Sequence, residues 1–67
     1  MRIGFDAKRA FFNNTGLGNY SRDSIRLLSQ FYTDNKYFLY TPKNTKNSRL
    51  SFLKDRDNTF IRTPQSL

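Results

Sequence analysis

Hydrophobic and polar positions divide the chain into three short alternating or aromatic stretches and one helical stretch. Residues 2–7, RIGFDA, alternate between apolar and polar or small side chains, which predicts a first strand. Residues 36–41, KYFLYT, are rich in aromatics and are closed by a proline, which predicts a second strand. Residues 58–64, NTFIRTP, predict a third strand. Residues 8–15, KRAFFNNT, are interpreted as a polar loop with two aromatics.

A helical period begins near Leu17. At 100° per residue, one wide apolar stripe collects Leu17, Tyr20, Ile25, Leu27, Leu28, Phe31 and Tyr32. The opposite face collects Gly18, Asn19, Arg22, Asp23, Arg26, Ser29 and Gln30. The pattern therefore predicts an amphipathic helix with its apolar stripe on the core and its charges outward. Thr15 is the candidate N-cap, and Asn35 is the candidate left-handed stop.

The order of these elements predicts an α/β fold. A strand, a helix and a second strand make a βαβ unit with parallel strands, which is how a doubly wound domain begins. Residues 42–49 are interpreted as a basic loop, and residues 50–55 as a short turn of helix before the third strand. We expect an incomplete Rossmann-like βαβ unit: a parallel sheet of about three strands, one main helix, and one sheet face left bare.

Composition narrows the classes of partner and site. The 67 residues include twelve Lys and Arg against five Asp, a formal net charge of +7, which favours anionic partners. There is no Cys and no His, so disulfides and the usual soft-metal sites are excluded, and no metal or cofactor is predicted. No stretch has the length of a membrane span, and the first residues do not resemble a secretory signal. We therefore expect a cytoplasmic chain.

Two of the three glycines, Gly16 and Gly18, lie where the helical pattern begins. They do not complete a dinucleotide fingerprint, because Ser21 stands at the third glycine position and no acidic residue follows the second strand. The P-loop ending is also absent. Two interpretations stay open. Because glycine has no Cβ, its backbone can admit an anion at a helix N-terminus, or the glycines only supply positive φ in a tight loop.

The first two thirds of the chain carry a family resemblance. Residues 1–42 contain I-G-F-D-A, then T-G-L-G-N-Y-S-R, an amphipathic helix, and the aromatic strand Y-F-L-Y. This series resembles the opening of glycosyltransferases of the GT-B fold, in particular the retaining family 4 (glycosyl transferases group 1). Residues 43–67 fit only in outline. The resemblance implies two Rossmann-like domains facing a cleft, with residues 1–67 as a fragment of the N-terminal domain and the C-terminal donor domain absent.

The resemblance also implies site residues. Gly16, Leu17 and Gly18 match the glycine-rich loop near the donor diphosphate. Asp6, Asn19, Tyr20 and Arg22 match positions that contact the acceptor or support that loop. Simpler roles are the stronger expectation for three of them: Asp6 bonding loop amides, Tyr20 anchoring a core, and Arg22 as a solvated charge. No catalytic residue is assigned, because the family's histidine and carboxylate motifs have no counterpart here.

The sequence thus predicts the N-terminal fragment of a retaining hexosyltransferase, inactive alone. The full enzyme would take a nucleotide sugar and a glycan or lipid-linked acceptor, and peripheral contact with the inner face of the membrane is left open. We also expect the fragment to form a homo-oligomer. Two rival functions are a small basic nucleic-acid-binding protein and a structural, self-associating protein. No nucleic-acid recognition pattern is present, which argues against the first rival.

Overall fold

A computed structural model describes residues 1–64, with three strands, two α-helices and one 3₁₀ helix. In chain order the elements are β1 (Arg2–Asp6), α1 (Lys8–Phe12), α2 (Gly16–Phe31), β2 (Lys36–Tyr40), the 3₁₀ helix (Ser48–Asp55) and β3 (Thr59–Arg62). The three strands and the main helix confirm the predicted α/β class. The loop expected at residues 8–15 is wrong in its first part, because residues 8–12 form α1.

The sheet is parallel, with β2 between β1 and β3. Ile3 lies opposite Tyr37, and Phe5 lies opposite Leu39, which in turn lies opposite Ile61. Alternation along each strand therefore places these side chains on one face of the sheet. The order β1-β2-β3 is that of one half of a doubly wound sheet.

The core lies between that face of the sheet and the helices. Its buried members are Ala7, Ala10, Phe11, Ile25, Leu39 and Leu50. Partly buried hydrophobics from β1, β3 and the 3₁₀ helix pack around them. Helix α1 is central to this core, because the i, i+3, i+4 spacing of Ala7, Ala10 and Phe11 turns all three inward. Within residues 1–64 no helix is long and apolar enough to cross a membrane.

Helix α2 is rotated relative to the sequence-based expectation. Its buried residues are Gly18, Arg22, Ile25 and Ser29, and three of these come from the face expected to be polar and outward. The apolar stripe is largely exposed: Leu17 is 57% exposed, and Phe31 is 67% exposed. The predicted inward orientation of the stripe is therefore wrong. The reason is contact with α1 and its following loop, where small and hydrogen-bonding side chains allow close approach.

The second face of the sheet is partly covered by arginines. The rings of Phe38 and Phe60 stack with their centroids 5.2 Å apart. The guanidinium carbons of Arg2 and Arg62 lie 5.0 Å and 5.4 Å from the Phe38 ring centroid. These cation–π contacts leave Phe38 only 9% exposed. The expectation of a bare face is therefore wrong at its centre.

The ends of α2 differ in how well they were predicted. Thr15 occupies the N-cap position, although its side chain makes no capping hydrogen bond. The helix ends at Phe31 with Tyr32 as the C-cap, and no residue from 1 to 64 has a positive φ. Asn35 is therefore not a left-handed stop. Its backbone N–H donates to the Tyr32 carbonyl, and its side-chain amide donates to the Tyr37 hydroxyl at 3.2 Å.

Candidate functional site

A cleft opens at the carboxyl end of β1, beside the first turns of α2. We call it the β1 cleft; its volume is about 710 Å³, and it is lined by Asp6, Lys8, Arg9, Phe12, Asn13 and Ser21. In open α/β sheets, ligands bind in the crevice outside the carboxyl ends of the strands. The lining holds two cationic side chains and one carboxylate, so its balance of charge favours an anion.

Asp6 is the last residue of β1, and its side chain supports the turn into α1. Its Oδ1 accepts a hydrogen bond from the backbone N–H of Lys8 at 3.3 Å. The next residue, Ala7, donates its N–H to the Tyr40 carbonyl at 2.8 Å, which fixes the strand end against β2. Asp6 itself is exposed. Its carboxylate therefore supports the turn into α1, and Asp6 also lines the β1 cleft.

Asn13 organises the connection between α1 and α2. Its Oδ1 accepts from the backbone N–H of Thr15 at 2.7 Å and from the Thr15 hydroxyl. Its carbonyl oxygen accepts from Nη1 of Arg22 at 2.6 Å. An asparagine side chain that bonds the backbone two residues on is a common device for entering a helix. Asn13 thereby sets both the start of α2 and its distance from α1.

The two glycines of the connection have different surroundings. A Cβ at residue 18 would lie 1.8 Å from the carbonyl oxygen of Asn13 and 3.0 Å from that of Arg9. A Cβ at residue 16 would meet nothing within 4 Å. Neither glycine has a positive φ. Gly18 is therefore required by close approach of the α1 connection, whereas Gly16 faces open space.

Arg22 is the buried charge of the connection. It is 3% exposed, and its Nη1 donates to the carbonyl of Ala10 at 2.9 Å as well as to that of Asn13. Its Nη2 donates to Oδ1 of Asn19. Burial, and secondarily the charge of Arg49, lower the pKa of Arg22 from its ordinary value. The expectation of a solvated charge is wrong, because the guanidinium ties α2 to the carbonyls at the end of α1.

The remaining candidate residues are spread around the first turns of α2. Asn19 contacts Arg22, as described, and is otherwise exposed. Leu17 and Tyr20 lie on the exposed stripe, and Tyr20 is 74% exposed. The expected core role of Tyr20 is therefore wrong. The structure brings together Gly18, Asn19 and Arg22 around Asn13, and it separates them from Leu17 and Tyr20.

Sequence reasoning missed five of the six residues that line the β1 cleft. Lys8, Arg9 and Phe12 were assigned to a loop, so no common surface was expected for them. The signal was present in the i, i+3, i+4 spacing of Ala7, Ala10 and Phe11, which marks one face of a short helix. Because that face of α1 is buried, Lys8, Arg9 and Phe12 lie on its other side, where they line the cleft at the carboxyl end of β1.

The β1 cleft offers the ammonium and guanidinium N–H donors of Lys8 and Arg9 to an anion. Within residues 1–64 no three Asp, Glu, His or Cys side chains are grouped so that they could hold a metal ion. No protein-family model, curated protein or solved structure compared with the chain matches it. The class defined by the fold and the cleft is thus a small α/β unit with a parallel sheet and a basic cleft at its carboxyl edge.

Proposed function

We propose that this chain is the N-terminal βαβ segment of a retaining glycosyltransferase that transfers a hexose from a nucleotide sugar to a glycan or lipid-linked acceptor. In this proposal the chain has no transferase activity by itself. The observation that carries the proposal is the position of the β1 cleft, at the carboxyl end of the first strand and beside the start of α2. The resemblance of residues 1–42 supports it independently.

The charges of the β1 cleft suit a nucleotide diphosphate. Lys8 and Arg9 begin α1, one residue after β1 ends at Asp6, whose carboxylate also lines the cleft. When a glycosyl group leaves, negative charge grows on the departing diphosphate, and fixed cations and helix N-terminal amides stabilise that charge. The role of Lys8 and Arg9 in the complete enzyme would be electrostatic. The exposed carboxylate of Asp6 could accept a hydrogen bond from an acceptor hydroxyl.

The proposal assigns the two glycines different roles. A phosphate could approach the backbone of Gly16 on the side of its Cβ position, where no atom outside its own turn of helix lies within 4 Å. Gly18 allows α2 to approach Asn13 and would not face the ligand. Leu17, between them, is exposed on the outer stripe. Phosphate contact would therefore come from the residues of α1 that line the cleft and from Gly16 in the first turn of α2, just outside the lining.

The test is calorimetric titration of the purified chain with UDP-glucose and GDP-mannose, with UMP and GMP as ligands that lack the diphosphate. We expect weak, saturable binding of the sugar nucleotides and at least tenfold weaker binding in the double variant Lys8→Gln, Arg9→Gln. The matched control is Lys46→Gln, Lys54→Gln, which removes the same charge from exposed positions outside the β1 cleft. Equal loss in both double variants, or no saturable binding, would contradict the proposed diphosphate role.

A further inference from the structure

A second basic depression lies between α2 and the 3₁₀ helix. We call it the α2 groove; its volume is about 360 Å³, and it is lined by Asn19, Arg22, Asp23, Arg26, Arg49 and Phe52. It shares no lining residue with the β1 cleft. Four of its six residues come from the α2 face that was expected to be polar, and the other two come from the 3₁₀ helix.

The α2 groove carries more positive charge than its own carboxylate neutralises. Three guanidinium groups face one carboxylate, and the ion pair of Arg26 with Asp23, at 3.5 Å, accounts for one of the three. Among residues 1–64 no carboxylate lies within ion-pairing distance of Arg22 or Arg49. Arg22 donates its hydrogen bonds to neutral oxygens alone, and Asp23 offsets its charge only from beyond ion-pairing distance.

A fourth guanidinium adjoins the same surface through Phe52. The guanidinium carbon of Arg56 lies 5.7 Å from the Phe52 ring centroid, and its Nε donates to the hydroxyl of Ser29 at 3.0 Å. Both contacts hold Arg56 against α2 and the 3₁₀ helix. Bringing like charges together costs free energy, and an anion bound among them would recover it.

We propose that the α2 groove is a binding site for a phosphate group. Guanidinium groups present several N–H donors in a planar fork that matches phosphate oxygens, and such charge-assisted hydrogen bonds are the strong ones. The rigid member is Arg22, because its bonds to the carbonyls of Ala10 and Asn13 fix its position in α2. Arg49 is exposed and can close on the ligand from the 3₁₀ helix. The ligand is a phosphate monoester rather than a nucleic-acid backbone, because the sequence carries no nucleic-acid recognition pattern.

The test is titration of the chain with inorganic phosphate at a fixed ionic strength maintained with sodium chloride. Arg49→Gln should weaken phosphate binding about tenfold, since it removes one of the two groove cations that have no ion-pair partner without touching the bonds of Arg22. Lys54→Gln is the matched control, because it removes one charge from the same 3₁₀ helix at a residue that does not line the α2 groove. Asp23→Asn should strengthen binding a few-fold, because it removes the only carboxylate of the groove.

Competition against bound inorganic phosphate identifies the kind of molecule that carries the phosphate group. Displacement of inorganic phosphate by O-phosphoserine at lower concentration supports the site with a phosphorylated side chain as its ligand. Displacement by a short single-stranded oligonucleotide but not by O-phosphoserine would overturn the assignment to a phosphate monoester. Absence of saturable phosphate binding, equal weakening in Arg49→Gln and Lys54→Gln, or no gain in Asp23→Asn would each overturn the proposal. The Lys8→Gln, Arg9→Gln variant should bind phosphate at the α2 groove normally, which separates this test from that of the β1 cleft.

Discussion

Replacing Gly18 with alanine is expected to unfold much of the protein, although Ala is the better helix former. Gly18 lies in the first turn of α2, where the backbone of Asn13 passes close to it. The added Cβ would stand 1.8 Å from the Asn13 carbonyl oxygen, whereas real Cβ atoms essentially never approach a heavy atom within 3.0 Å. The helix and the α1 connection must therefore move apart by more than an ångström.

The expected cost follows from what that movement breaks. Overpacking of a close contact costs about 1–3 kcal/mol. The displacement also stretches the hydrogen bonds from Arg22 to the carbonyls of Ala10 and Asn13, and bonds to a charged group are worth about 1.5–3 kcal/mol each. Alanine recovers about 1 kcal/mol through helix propensity. If both bonds are lost, even the low end of these terms leaves a net loss of about 3 kcal/mol, comparable with the total stability of at most roughly 3–5 kcal/mol that a core of this size supplies.

Gly16→Ala is the matched control, since it makes the same chemical change two residues earlier. A Cβ there meets nothing within 4 Å, and the φ of Gly16 is not positive. We expect Gly16→Ala to be neutral or to stabilise the chain by up to about 1 kcal/mol. Urea unfolding followed by circular dichroism measures the free energy of unfolding of both variants and of the parent chain. Equal stability of the two variants would refute the close-approach explanation of Gly18.

Four further outcomes are expected. Arg22→Ala should lower the free energy of unfolding by about 2–4 kcal/mol, because it leaves the carbonyls at the end of α1 without their donor, and thermal unfolding measures this. Tyr37→Phe should cost about 1–2 kcal/mol and fray the end of α2, since the buried hydroxyl lies 3.0 Å from two carbonyl oxygens there, and amide hydrogen exchange locates the fraying. The chain should self-associate at micromolar concentration through its exposed stripe, and Leu27→Gln with Phe31→Gln should shift sedimentation toward monomer. Incubation with nucleotide sugars and acceptors should yield no transfer product. Turnover by the mass-verified chain would contradict the proposal that the chain is inactive by itself.

Strands were predictable because their signal is local. The alternation at the start of the chain and the aromatic run before Pro42 each imply extended backbone without reference to the rest of the fold. Helix α2 was predictable for the same reason, and Thr15 marked its start. The parallel arrangement of β1 and β2 followed from the order strand, helix, strand along the chain. These inferences needed only the residues within each element.

The orientation of α2 could not be read from its own residues. A hydrophobic stripe shows which side would gain most from leaving water, and it does not show which side has a partner. The partner is α1, which sequence reasoning had taken for a loop. Once α1 is present, Gly18 admits its connection and Arg22 binds its carbonyls. The same omission hid the β1 cleft, because Lys8 and Arg9 owe their positions to α1.

The proposed donor site is tested most directly by mapping where a sugar nucleotide binds. The measurement is a titration of isotope-labelled chain with UDP-glucose and GDP-mannose, following each backbone amide by NMR. We expect saturable shifts at Lys8, Arg9, Gly16 and Ser21, which surround the β1 cleft and the start of α2. Shifts confined to Arg49 and the other residues of the α2 groove, or no saturable shifts at all, would contradict the assignment of the β1 cleft to a nucleotide diphosphate.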